Sequence, residues 1–142
     1  MSLRLHVTTL VMRLDVPSDL GIVGDAVDLV ASRLPAGTLS PRRLNFNFRT
    51  ALAEALGNAI RHGTGEDPAR VVRVRVELGR DAVRIHVTDD GGGYDRTHLP
   101  DPTRPENLER EDGRGLFVIR HLVDDVAYNA KGNCICLTLR AG

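Results

Sequence analysis

The chain has 142 residues, and nineteen basic side chains balance nineteen acidic ones. Eighteen of the bases are arginine and Lys131 is the only lysine, which excludes a Walker-type P-loop and a kinase built on a β-strand lysine. Zero net charge, five aromatic residues and no tryptophan argue against a nucleic-acid binder, which shows a basic footprint and stacking rings.

Residues 4–15 are β-leaning (Val7, Thr8, Thr9, Val11) and predict one or two strands. Pro17-Ser18-Asp19 predicts a helix start with Ser18 or Asp19 as N-cap, and Leu20, Val23, Val27, Val30 and Leu34 follow at helical spacing. Pro35-Ala36-Gly37 ends that helix. A second helix is expected from Ser40-Pro41 to His62, with Phe48, Leu52, Ala55, Leu56 and Ala59 as its apolar stripe and Gly63 as a left-handed stop. Val72, Val74, Val76 and Leu78, then Val83, Ile85 and Val87, alternate with polar residues as two strands joined by a Gly79-Arg80-Asp81 turn.

Residues 90–112 are rich in glycine, proline and charge and predict a long loop, a length usual for lids and binding loops. A third helix is expected from Gly113, carrying Leu116, Ile119 and Val123. Val126 to Asn129 and Cys134 to Arg140 then form a closing hairpin. The expected order is β-α-α-β-β-loop-α-β-β in a single domain over 1–142. The expected fold class is α+β, a two-layer sandwich whose mixed, mostly antiparallel sheet carries its helices on one face. Cys134 and Cys136 are too few for a disulfide framework or a zinc site, and are expected as reduced thiols. No apolar run is long enough to span a bilayer and no charged-then-apolar leader is visible, so the expected setting is soluble and cytoplasmic.

Without lysine, phosphate handling must rest on arginine, backbone amides and metal. Three short motifs offer those means. Glu54-x-x-x-Asn58 puts a carboxylate and an amide on one side of a helix, about 5–6 Å apart. There Glu54 suits a general base and Asn58 a Mg²⁺ ligand. Asp89-x-Gly91-x-Gly93 ends a strand, and Asp89 continues the register of Val83, Ile85 and Val87. Its carboxylate should therefore point inward, where it needs a partner such as an adenine amino group. Gly113-Arg114-Gly115-Leu116 opens a helix, whose free amides form an anion site. Each alone has an ordinary explanation, respectively a solvated helix face, a turn and a helix start.

In this order, and on these elements, the three motifs resemble the N, G1 and G2 boxes of the ATPase superfamily that includes DNA gyrase and the histidine kinases. The resemblance covers about residues 45–140. Within the superfamily, Ala53 to Gly63, with its terminal His62-Gly63, is similar to the bacterial anti-sigma-factor serine kinases (RsbW-like). Phe117 after Gly115-Leu116, Asp124-Asp125-Val126, and the lack of a phenylalanine-bearing F-box between G1 and G2 point the same way.

That resemblance implies a Mg-ATP-dependent serine kinase. Its substrate would be a small STAS-type anti-anti-sigma protein and a sigma factor its second partner, with no direct nucleic acid and no membrane. Dimerisation is common in that family, and the sequence carries no separate signal for it. The implied roles are Glu54 as general base, Asn58 on Mg²⁺, Asp89 on the adenine amino group, and Gly91 and Gly93 shaping that pocket. Gly113 and Gly115 would offer amides to the phosphates. Arg110 would reach the γ-phosphate, with Arg114 or Arg104 as substitutes across a spacing one residue longer than usual. An ATP lid is implied at about 94–112, and His62 matches the histidine of the N box. Asn133 stands where the family has threonines after the glycine of the last hairpin, and can donate and accept there. The rival readings are an ATP-sensing module without transfer, a stand-alone histidine-kinase-like ATPase domain, and an adaptor that binds no nucleotide.

Overall fold

A computed structural model describes residues 3, 5–7, 11–90 and 111–141, and for residues 6, 7 and 111–116 only the backbone. Six strands form one sheet: β1 (Leu5–Val7), β2 (Val11–Pro17), β3 (Val71–Leu78), β4 (Ala82–Asp89), β5 (Asp125–Tyr128) and β6 (Cys134–Arg140). Their order across the sheet is β1-β2-β3-β4-β6-β5. All five pairings are antiparallel, so the parallel component expected of a mixed sheet is absent among the described residues. Hairpin connections account for β1–β2, β3–β4 and β5–β6, since a strand that returns directly pairs antiparallel; β2–β3 and β4–β6 are antiparallel across longer, helix-bearing connections.

Period-2 alternation sets the sheet's two faces. Met12, Leu14 and Val16 pair with Val76, Val74 and Val72, and Val76 and Val74 pair onward with Ile85 and Val87. Leu137 and Ile135 continue those rows on β6. All are buried in one core. Three helices supply its other half: α1 (Val23–Arg33), α2 (Arg49–Asn58) and α3 (Glu111–Leu122). α1 contributes Ala26, Val27, Val30 and Ala31. α2 contributes Ala51, Leu52, Ala55 and Leu56, with Phe48 just before it and Ile60 just after. Burying a leucine fully is worth about 1.5–3 kcal/mol, so this single continuous layer accounts for the α+β arrangement with helices on one side.

The second helical stretch begins as expected. Ser40 Oγ accepts from the Arg43 amide at 3.3 Å, and Pro41 follows where a missing N–H costs nothing. The stretch is not uniform, however. Turns of π type, Arg43–Phe48 and Ala59–Gly63, flank α2 on either side. The first helix departs from expectation at its cap. Asp19 accepts from the Gly21 amide at 2.9 Å and caps a 3₁₀ turn over Leu20–Ile22. Ser18 caps nothing; it is 1% exposed and its hydroxyl meets that of Thr64.

Thr64 Oγ1 also lies 3.3 Å from the Ile60 carbonyl, so the pair ties the end of β2 to the end of the central helix. Thr64→Val would leave the Ser18 hydroxyl buried without its partner, at a cost of about 1–3 kcal/mol. The expected result is a lowered urea midpoint with an unchanged slope.

Candidate functional site

Asp89 is the last residue of β4 and keeps the inward phase of Val83, Ile85 and Val87. It is 3% exposed, one of three buried polar residues among those described, with Ser18 and Thr64. The expected inward carboxylate is present. Its backbone is fixed from β6: the Asp89 amide donates to the Asn133 carbonyl at 2.9 Å, and Asn133 Nδ2 donates to the Asp89 carbonyl at 3.0 Å.

The carboxylate lies against the end of the central helix. A Cβ added to Gly63 would come 2.9 Å from the Asp89 Cβ, and closer still to the carboxyl carbon and Oδ2. This corrects the expected role of Gly63. Its φ is not positive; the left-handed residues here are Gly65 (φ 64) and Glu66 (φ 58). The π turn carries the helix on to Gly63, so glycine is needed for close approach and not for a helix stop. No signal in the sequence separates those two uses.

One and two turns back along the same helix lie Asn58 and Glu54, both half-buried. They share a side of α2, as their spacing requires. That side is distinct from the buried Leu52–Leu56 stripe, yet it is not the fully solvated face of the ordinary explanation. Arg61, which the sequence reading did not single out, joins them. Its Nη2 donates to Asn58 Oδ1 at 3.2 Å, and its Nε is buried without a hydrogen-bond partner among the described residues. A buried guanidinium N–H with no acceptor is costly, and this one sits on a guanidinium already bonded to Asn58. His62 is exposed on the last turn of the helix.

The other candidate residues divide. Gly91, Gly93, Arg104 and Arg110, and the lid to residue 110, lie outside the described residues. The third helix starts at Glu111, two residues before the expected Gly113. Gly113 and Arg114 thus fall within the first described turn of that helix. Gly115 and Leu116 follow one step further in. Residues 111–112, expected as lid, are helical.

Asn133 is placed beside Asp89, but its amide is already engaged. Besides donating to the Asp89 carbonyl, its Oδ1 accepts from Asn129 Nδ2 at 2.7 Å. Asn129, also missed, organises the turn, with its Oδ1 accepting from the amides of Gly132, Asn133 and Cys134. An Asn ahead of a tight turn was the available signal. Asn133 therefore acts as a brace for Asp89.

A Mg²⁺ ion takes about six oxygens, and no group of three His, Cys, Asp or Glu side chains placed to hold a metal ion occurs among the described residues. Asn58 Oδ1 supplies one neutral oxygen, which fits an ion whose other ligands are phosphate and water. Arg61 already donates to that oxygen, so a metal there would displace or share the contact. No described helix is long and apolar enough to cross a membrane.

Several known proteins are similar to the chain over part of its length. The chain is 30% identical to the serine-protein kinase RsbW of Staphylococcus aureus, over 63% of the chain and 62% of that protein. It is 29% identical to the RsbW of Oceanobacillus iheyensis, over 58% of the chain and 56% of that protein. The serine/threonine-protein kinase BtrW of Bordetella bronchiseptica is 27% identical over 68% of the chain and 70% of that protein. The match thus spans little more than half the length of the Oceanobacillus relative. Residues 16–139 match the histidine kinase-like ATPase domain, which is nearly the whole chain. The chain belongs to the histidine kinase-like ATPase domain family.

Proposed function

We propose that the protein is a cytoplasmic, Mg-ATP-dependent serine kinase of the anti-sigma type, and that it phosphorylates a serine of a STAS-type anti-anti-sigma partner. The observation that carries the reading is the buried Asp89 carboxylate seated against Gly63, at the end of the helix that presents Glu54 and Asn58. The likeness to proteins named as serine kinases supports the choice of reaction.

In the proposed reaction the partner's serine oxygen forms a bond to the γ-phosphorus while the bond to the β-phosphate bridging oxygen breaks. The hydroxyl proton passes to the Glu54 carboxylate, and ADP leaves with the bridging oxygen's charge. Asp89 accepts from the adenine amino group and so fixes the base. The Arg61 guanidinium and the amides of 111–114 are the donors proposed for the phosphates. Mg²⁺, held in part by Asn58 Oδ1, would supply charge neutralisation on the triphosphate. Positioning and electrostatics carry most phosphoryl transfer, which is why one carboxylate is enough for the proton.

Asp89→Asn tests the nucleotide half of the reading. The substitution keeps size but exchanges a charged acceptor for a neutral amide, and a hydrogen bond to a charged group is worth about 1.5–3 kcal/mol. Calorimetric titration with Mg-ATP is expected to show affinity lowered by about 10- to 150-fold. No heat signal from the unaltered protein would rule out the proposal and leave an adaptor that binds no nucleotide.

A further inference from the structure

The sheet face turned away from the helices carries charge where the other carries valine. Its register places Arg13 opposite Arg75 and Asp15 opposite Arg73. Arg75 in turn faces His86, and Arg73 faces Thr88. Like charges directly opposite on neighbouring strands are destabilising, so folding alone gives no reason for the Arg13–Arg75 pair. Glu77 ties down part of the group: Arg75 Nη2 lies 3.2 Å from Glu77 Oε1, which also meets His86 Nε2. Arg13 and Arg73 are exposed and make no hydrogen bond or ion pair among the described residues.

These side chains surround a depression of about 290 Å³ lined by Arg13, Asp15, Arg73, Arg75, His86 and Thr88. That volume lies at the lower end of small-ligand sites, which begin near about 300 Å³. No phenylalanine, tyrosine or tryptophan lines it, which disfavours nucleic-acid bases, since those need a broad stacking surface. Three guanidinium groups against Asp15 and the Glu77 that pairs with Arg75 leave a positive balance that favours an anion, and the planar fork of arginine matches carboxylate and phosphate oxygens two at a time. Asp15 would repel an anion that was oxygen-rich on every side, so the ligand should offer a hydroxyl donor at that edge.

We propose that this depression is a binding site for a small hydroxylated oxyanion, carrying carboxylate or phosphate groups, held by Arg13, Arg73 and Arg75 with its hydroxyl toward Asp15. Thr88 and Asp89 are neighbours on β4 with side chains on opposite faces, so the site backs onto the nucleotide site without sharing a residue. It does not depend on the reading given above.

The test is a ¹H–¹⁵N titration of the full chain, free of nucleotide, with citrate in one arm and ribose 5-phosphate in the other. Saturable shifts at the amides of Arg13, Arg73, Arg75 and Thr88 are expected in at least one arm, and the responding arm identifies the acid group. Arg13→Ser with Arg73→Ser should weaken that binding by at least about tenfold, with the urea midpoint unchanged. Arg13→Lys with Arg73→Lys should fall between the two, because charge is kept and the fork is lost. The proposal is overturned by no saturable shift in either arm, by shifts confined to residues 111–116, or by undiminished binding in the double serine variant.

Discussion

Gly63→Ala should remove nucleotide binding and destabilise the fold in one step. The added methyl group would meet the Asp89 carboxyl group well inside contact distance. Neither side yields easily. Gly63 ends a helix anchored by Ile60, which is fully buried, and Asp89 is fixed through both backbone bonds to Asn133. Overpacking of this kind costs about 1–3 kcal/mol, and relief requires the carboxylate to turn out of its place. The expected result is a lower urea midpoint and a Mg-ATP affinity reduced by more than about tenfold. Pairing the change with Asp89→Ala should recover stability, because the obstacle is gone, but not binding. Such non-additivity is the mark of two groups in direct contact. Full nucleotide affinity in Gly63→Ala alone would mean that the carboxylate's seat is not part of the site.

Glu54→Ala should separate binding from chemistry. Glu54 is half-buried on the same side of α2 as Asn58, and the proposed role gives it no contact with the adenine. Mg-ATP affinity is expected to stay within about threefold, while phosphate transfer to the partner falls by about 10²–10⁴-fold, the usual worth of a positioned general base. Glu54→Gln should behave alike, since the amide keeps size and loses basicity. Unimpaired transfer by either variant would remove Glu54 from the proton's path. Binding that persists in a protein never able to transfer phosphate would instead describe an ATP-sensing module.

Much of the geometry around Asp89 is legible in the sequence, because strand alternation is strictly local. Once Val83, Ile85 and Val87 face the core, Asp89 must do so too. Helical spacing fixes Glu54 and Asn58 in the same way. What the sequence hides is contact between distant segments. Ser18 and Thr64 are 46 residues apart, and nothing local marks one hydroxyl as the other's partner. Gly63 reads equally well as a helix stop until Asp89 is seen beside it. Arg61 looks like any surface arginine until its Nε proves buried. The start of α3 is misjudged for a different reason. Glycine suggested a boundary at 113, whereas the backbone is already helical at Glu111 and Asp112.

The most direct test of the central claim is transfer of label from [γ-³²P]ATP, with Mg²⁺ present, to a STAS-type protein bearing the candidate serine. The account predicts label on that serine from the unaltered protein, little from Glu54→Ala, and none when the partner's serine is replaced by alanine. Tight Mg-ATP binding with no label on any partner, or label that appears on a histidine of the chain itself, would contradict it.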